Sequence, residues 1–236
     1  MDQDLPIVIV PYRQDNYGFL IHNPTQGLTL AIDAGDDRAY LNALDQQGWS
    51  LTHILITHHD DDHTSHIQAL KNATGAQALG PQGIGGIDTV IGAGDLPDLG
   101  VRVLETPGHT LDMLNFYIPA AGAVFTGDTL FTLGCGRLTE GTPALMWASL
   151  QTLKALPPDT RVYGAHEYTL ASLDFALSQL PNHAPLIAQA QEIRALRAAG
   201  KPAVPSRLRD ELINNPFLRA TRMEEFAQLR AAKDVF

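Results

Sequence analysis

Ile54-Leu55-Ile56-Thr57-His58-His59-Asp60-Asp61-Asp62-His63 sets an apolar run directly against six consecutive residues that can bind metal or carry charge. Buried without partners, those six would cost far more than any core could return. Left bare on a surface, the three adjacent carboxylates would repel. A divalent cation, or a pair of them, removes both problems. The apolar residues before it, Thr52–Thr57, form a short continuous run of the kind buried on both faces. The stretch therefore reads as a metal site at the end of a buried strand.

Composition narrows the setting. The chain has 236 residues, 44% of them hydrophobic, enough for one large core or a core domain with a small satellite. Cys135 is the single cysteine, so neither an internal disulfide nor a CxxC zinc cluster can form, and a reducing, cytoplasmic setting is expected. The start, Met1-Asp2-Gln3-Asp4-Leu5-Pro6, is acidic with no long apolar run behind it, which argues against a secretory leader or membrane span. Net charge is -10 but uneven: residues 187–236 hold 9 basic and 6 acidic side chains, the remainder 7 and 20. The acidic body argues against nucleic acid as a main partner. The basic tail suits a small anionic ligand.

Strands are expected at Ile7–Pro11, Gly18–His22, Leu28–Asp33, Val101–Thr106, Asn115–Ile118, Ala123–Thr126 and Arg161–Gly164. Helices are expected at Arg38–Gln47, stopped by Gly48, at Ser65–Ala73, closed at Gly75, and at Leu145–Leu156, stopped by Pro157-Pro158. Residues 80–100 carry seven glycines and read as loops with short strands. After Glu167 the pattern becomes helical: Leu170–Leu180, Leu186–Ala198 and Thr221–Ala232, with a breaker segment at Gly200–Pro205. This is an α/β body, residues 1–167, followed by a helical appendix, residues 168–236.

Four places share one signature, an apolar strand ending in a metal-capable residue. They are the 58–63 cluster, His109 in Thr-Pro-Gly-His-Thr, Asp128 in Phe-Thr-Gly-Asp-Thr, and His166 in Tyr-Gly-Ala-His-Glu. Strand ends of a layered sheet share an edge, so such residues can converge. Imidazole and carboxylate together suit zinc, iron or manganese. So many candidates exceed the four ligands of a tetrahedral ion and suit two ions about 3.5 Å apart sharing a carboxylate. Singly, each has a plainer reading: Asp128 as a turn cap, His109 as structural, the acidic run as a solvated loop. His22, His53, His66 and His183 are read in that plain way.

Thr57–His63 resembles the Thr-His-x-His-x-Asp-His motif of the metallo-β-lactamase superfamily. Further stretches are similar to its glyoxalase II branch, the hydroxyacylglutathione hydrolases. These are Asp15-Asn16-Tyr17, Asp33-Ala34-Gly35, Thr106–Thr110, Thr126–Phe131, Gly134-Cys135-Gly136-Arg137, Glu140-Gly141-Thr142, His166–Thr169, Asn215–Arg219 and the ending Arg230-x-x-Lys233-Asp234. The resemblance implies an αββα sandwich of the metallo-β-lactamase type with a C-terminal helical, substrate-binding domain. It implies two divalent ions, zinc with iron or manganese as alternatives. One is held by His58, Asp60 and His109, the other by Asp62, His63 and His166, with Asp128 bridging. It implies that Arg137, Tyr168, Arg230 and Lys233 bind glutathione. The implied reaction, in methylglyoxal detoxification, is hydrolysis of S-lactoylglutathione to glutathione and D-lactate. Water activated between the ions and oriented by Asp62 attacks the thioester, in a cytoplasmic monomer without a protein partner.

The chain departs from that pattern in several places. Asp60 stands where the family has histidine; a carboxylate makes the first site harder and should favour iron or manganese over zinc. Leu111-Asp112-Met113, Thr139, Ala165 and Ser172 are milder departures. Cys135 reads as a turn residue, not a nucleophile. Rival readings are a lactonase or broader thioesterase, a nuclease, a glutathione persulfide dioxygenase, and a degenerate, non-catalytic binding protein.

Overall fold

The structure is a computed structural model that describes residues 5–236. Met1–Asp4, part of the start read for a leader, lie outside the described residues. The chain divides into two compact units, one comprising the chain up to Glu105 with Asp112–Phe125, the other Thr106–Leu111 with Thr126–Phe236.

The first unit begins with β1 (Ile7–Tyr12), β2 (Asn16–Asn23), β3 (Leu28–Ile32), α1 (Asp37–Gln47), β4 (His53–Leu55), α2 (Asp61–Thr64), α3 (Ile67–Thr74), β5 (Gln77–Gly80) and β6 (Thr89–Val90). The six strands form one sheet in the order β1-β2-β3-β4-β5-β6, antiparallel at the start and parallel from β3 onward. A second ladder of β7 (Gly94–Leu96), β8 (Val101–Glu105), β9 (Leu114–Ile118) and β10 (Ala123–Gly127) is antiparallel. Strand alternation assigns the faces. On β2, Leu20 packs with Tyr40, Leu44, Ile67 and Leu70 of α1 and α3. Its neighbour Phe19 points the other way, onto Phe125 of β10, with ring centroids 5.2 Å apart. Each fully buried Leu, Ile or Phe of these layers contributes roughly 1.5–3 kcal/mol.

Local chemistry sets the helix ends. The Asp36 carboxylate accepts from the Ala39 N–H at 3.0 Å to cap α1, and Gly48, at φ 66°, ends it. The expected helix Ser65–Ala73 is matched by α3, Ile67–Thr74, and a separate short helix precedes it. That short helix, α2, starts at Asp61, within the metal-capable run, and the chain breaks at His66, whose N–H donates to the Ala34 carbonyl at 2.9 Å. A tertiary contact thus overrides helical periodicity.

The second unit carries the end of β10, then β11 (Leu130–Phe131), β12 (Gly134–Cys135), α4 (Pro143–Lys154), β13 (Arg161–Gly164), α5 (Thr169–Gln179), α6 (Ala184–Ala198), β14 (Ser206–Arg207), α7 (Leu208–Asn214), α8 (Pro216–Arg219) and α9 (Met223–Asp234). Among its helices, α7 and α8 have no counterpart in the expected elements, nor do the short strands β11, β12 and β14. Asn215 explains the break between α7 and α8: its side chain accepts from Phe217 N–H at 3.0 Å, and Pro216 occupies the first helical position, where no N–H is needed. Phe217 then stacks on Phe175 at 5.7 Å and meets Phe226 edge-on at 6.0 Å, so α5, α8 and α9 share one aromatic core.

Candidate metal centre and substrate pocket

The first unit's candidate ligands cluster at the end of β4. Asp33, just past β3, is buried and has φ 64°. Its Oδ1 accepts from Thr57 N–H at 2.8 Å and from Thr57 Oγ1 at 2.9 Å, and its Oδ2 accepts from His63 Nδ1 at 2.7 Å. A carboxylate on Nδ1 places the proton there and leaves Nε2 as the ligand nitrogen. His58 Nδ1 lies 2.9 Å from Thr57 Oγ1, so the same Thr57 orients the second ring. Both rings are fully buried, with centroids 4.1 Å apart. Asp62 is held by Asn16 Nδ2, which donates to its Oδ2 at 2.7 Å, and by Tyr12, whose hydroxyl donates to its carbonyl at 3.0 Å. A Cβ on Gly35 would stand 1.8 Å from the Asp62 carbonyl oxygen, so only glycine lets the loop close.

His59 and Asp61 have other partners. His59 Nδ1 lies 3.0 Å from Asp112 Oδ1. Asp61 receives Arg13 at 2.9 Å, and that same guanidinium donates to Ser65 Oγ. Charge in the run is therefore relieved partly by an arginine, a partner that adjacency in sequence does not reveal. His22, His53, His66 and His183 have local partners: Thr29, Thr52, Asp37 and the Ile213 carbonyl.

The second unit carries its own candidate ligands, His109, Asp128 and His166. His109 Nδ1 donates to the Arg137 carbonyl at 2.8 Å; a carbonyl only accepts, so Nε2 carries the lone pair. Thr139 donates to the His109 carbonyl through both its N–H and its hydroxyl, so this departure from the family pattern supports a candidate ligand. Asp128 has one oxygen for each imidazole: Oδ2 stands 3.4 Å from His109 Nε2, and Oδ1 3.3 Å from His166 Nε2. A Cβ on Gly136 would come within 1.9 Å of the Asp128 carbonyl oxygen, which explains the glycine after Cys135.

These distances test whether metal fits. Two ligands each ~2.05 Å from a tetrahedral ion stand about 3.3 Å apart. His58 Nε2 to Asp60 Oδ2 is 3.5 Å, His63 Nε2 to Asp62 Oδ2 is 3.3 Å, and the two Asp128 contacts match as well. The nitrogen-and-carboxylate donor set suits a divalent ion.

Beside His109 and Asp128, a cavity of about 380 Å³ opens in the second unit, and Arg137, Tyr168, Arg230 and Lys233 line it. Tyr168 is exposed and stacks on His166 at 4.7 Å. Arg137 is exposed. Lys233 lies over Phe175 and Phe236 and donates to the Ala171 carbonyl at 2.8 Å; burial, then the Arg230 charge, holds its ammonium pKa below the usual value. Arg230 is built into the wall. It is buried, donates to the Cys135 carbonyl at 2.8 Å and to Asp234 at 2.9 Å, and lies over Phe217. Burial pushes the Cys135 thiol up to about 11, keeping it protonated and unreactive at neutral pH.

The sequence pattern of the metallo-β-lactamase superfamily matches residues 19–90 and 84–166, and that of the hydroxyacylglutathione hydrolase C-terminus matches residues 167–236. A hydroxyacylglutathione hydrolase from Erythrobacter litoralis is 43% identical over 96% of this chain and 97% of its own length. The chain belongs to the hydroxyacylglutathione hydrolase family. Its fold is that of the metallo-β-lactamases. ETHE1 from Myxococcus xanthus superposes with a TM-score of 0.74 at 24% identity, over 96% of this chain and 89% of that one. TTHA1623 in a di-iron-bound form gives 0.58 at 28% identity, over 67% and 90%. Hydroxyacylglutathione hydrolases are metal-dependent thioester hydrolases, so the family assignment and the donor geometry agree.

Sequence reasoning passed over Asp33, Asn16 and Thr139 as orienting groups. Asp33 and Asn16 lie in stretches that resemble the family, yet nothing local says which ring or carboxylate they hold.

Proposed function

We propose that this chain hydrolyses S-(2-hydroxyacyl)glutathione, S-lactoylglutathione being the representative substrate, to glutathione and a 2-hydroxy acid. The observation that carries the reading is Asp128, one oxygen to each of two imidazoles, on the wall of a cavity whose rim carries Arg137, Tyr168 and Lys233. His58, Asp60 and His109 would hold one divalent ion, Asp62, His63 and His166 a second, and Asp128 both. When bound, such ions supply Lewis acidity, polarising a carbonyl and lowering the pKa of water from 15.7 to about 7.

The chain's own residues do the rest. Asn16 fixes the Asp62 carboxylate, which then accepts a hydrogen bond from the attacking water and orients it. Asp33 and the Arg137 carbonyl keep His63 and His109 in one tautomer. Arg137 and Lys233 attract the two carboxylates of glutathione, Arg230 completes that positive wall, and the Tyr168 hydroxyl offers a hydrogen bond to the peptide. The leaving thiol, of pKa ~8.5, departs as thiolate without a strong general acid, so no serine triad is needed.

The substrate is a small molecule, and we read the working form as a cytoplasmic monomer. No helix among the described residues is long and apolar enough to cross a membrane. The match of residues 167–236 to the hydrolase C-terminus favours hydrolysis over persulfide oxidation. The deciding assay is thiol release from S-lactoylglutathione after reconstitution with zinc, iron or manganese. Oxygen uptake with glutathione persulfide runs alongside. Inertness toward the thioester with every ion would defeat the proposal; oxygen uptake without thiol release would replace it.

A further inference from the structure

The turn between β11 and β12 sits in an unusual backbone conformation. Leu133 has φ 59°, a left-handed conformation costly for a side chain with a Cβ, and it is fully buried. Two side chains hold it, Glu211 from within α7 and Asn215 from the α7–α8 junction. Glu211 Oε2 accepts from Leu133 N–H at 2.9 Å and from Asn215 Nδ2 at 2.9 Å. The same Asn215 amide donates to the Gly134 carbonyl at 3.1 Å. Both residues are fully buried, 78 and 81 positions away in sequence from the groups they hold. A carboxylate is expensive there, and burial pushes this one up to about 7. Packing alone would be served by an apolar residue, so the acid calls for another explanation.

The residues after the turn supply one. Cys135, Gly136 and Arg137 line the cavity. Arg230 grips the Cys135 carbonyl, while Gly136 presses on Asp128. They follow directly on this turn, so a relaxed Leu133 would shift the segment.

We propose that Glu211 and Asn215 are positioning residues for substrate: by holding the left-handed Leu133–Gly134 turn, they set the cavity wall and the Arg137 guanidinium against the glutathione moiety. The inference deepens the hydrolase reading and rests on it. It demands an effect on KM for the glutathione thioester that a general loss of stability would not produce.

The test uses the metal-loaded full chain and two substrates, S-lactoylglutathione and the lactoyl thioester of N-acetylcysteamine, which lacks the glutathione carboxylates. Glu211→Ala should raise KM for the first on the order of tenfold with kcat nearly kept, and leave kcat/KM for the second within about twofold. Glu211→Gln retains an acceptor for Leu133 N–H and should restore KM. Asn215→Ser keeps an oxygen to cap α8 but loses the bond to Gly134, and should reproduce the KM rise if Glu211→Ala does not fold. Equal losses on both substrates, an unchanged KM, or a Gln variant no better than Ala would overturn the assignment while leaving the hydrolase reading intact. A wild-type enzyme inert toward S-lactoylglutathione would overturn both.

Discussion

His109 and Arg137 share one hydrogen bond: the imidazole Nδ1 donates to the arginine carbonyl at 2.8 Å, while the arginine side chain lines the cavity. One residue therefore fixes a candidate metal ligand with its backbone and, in the proposed function, attracts substrate with its side chain. The two functions separate by mutation. Arg137→Ala keeps the carbonyl, so metal content should stay at the wild-type level while KM for S-lactoylglutathione rises by a factor matching about 1–3 kcal/mol. Metal analysis with steady-state kinetics checks this; a variant that loses metal would contradict it.

Arg230→Ala should behave differently from Arg137→Ala. Arg230 is buried and bonded to the Cys135 carbonyl and Asp234. Its removal should raise KM and also destabilise the fold by about 3 kcal/mol, since buried acceptors lose a charged donor. Thermal melts of the two variants, side by side, test the contrast. Equal melting temperatures would show that the buried arginine contributes little to stability.

Asp33→Asn should weaken metal binding about 10- to 100-fold. The amide can still accept from Thr57, but it no longer holds His63 in the required tautomer as a carboxylate does. Competition against a chelator measures the change, and an unaltered affinity would remove Asp33 from its orienting role.

Asp60→His should move the metal preference toward zinc. The half-buried Asp60 carboxylate, 3.5 Å from His58 Nε2, makes the first site harder than an imidazole would. Protein grown in mixed metals, analysed before and after the substitution, gives the answer. Identical metal ratios would mean that residue 60 does not select the ion.

Glu211 gives the stability a pH dependence of known sign. Burial, opposed by Asn215, Leu133 N–H and Ser206 and reinforced by Asp210, raises its pKa from 4.5 to about 7. A raised carboxyl binds its proton more tightly when folded, so stability falls as pH rises from about 4.5 to 7, by about 3 kcal/mol in all. Glu211→Gln removes this titration. Its stability relative to wild type should climb between about pH 5 and pH 8 in denaturant titrations; a constant difference across that range would refute the assignment.

Much of the scaffold was legible from local chemistry. Asp36 and Gly48 mark the ends of α1, and the apolar run before His58 marks β4, because capping and strand burial depend on near neighbours. The break at His66 and the helices α7 and α8 were not legible, since a distant carbonyl and an aromatic core decide them.

By itself, then, the sequence determined the candidate ligand types, their placement at strand ends, and the family. It could not determine which nitrogen each histidine offers, that Asp128 divides its oxygens between two rings, that Arg230 lies in the wall, or that a buried glutamate holds a left-handed turn. Those depend on partners as far apart as Cys135 and Arg230, 95 residues distant. Burial and hydrogen-bond direction are properties of what a chain brings together, and only the folded chain settles them.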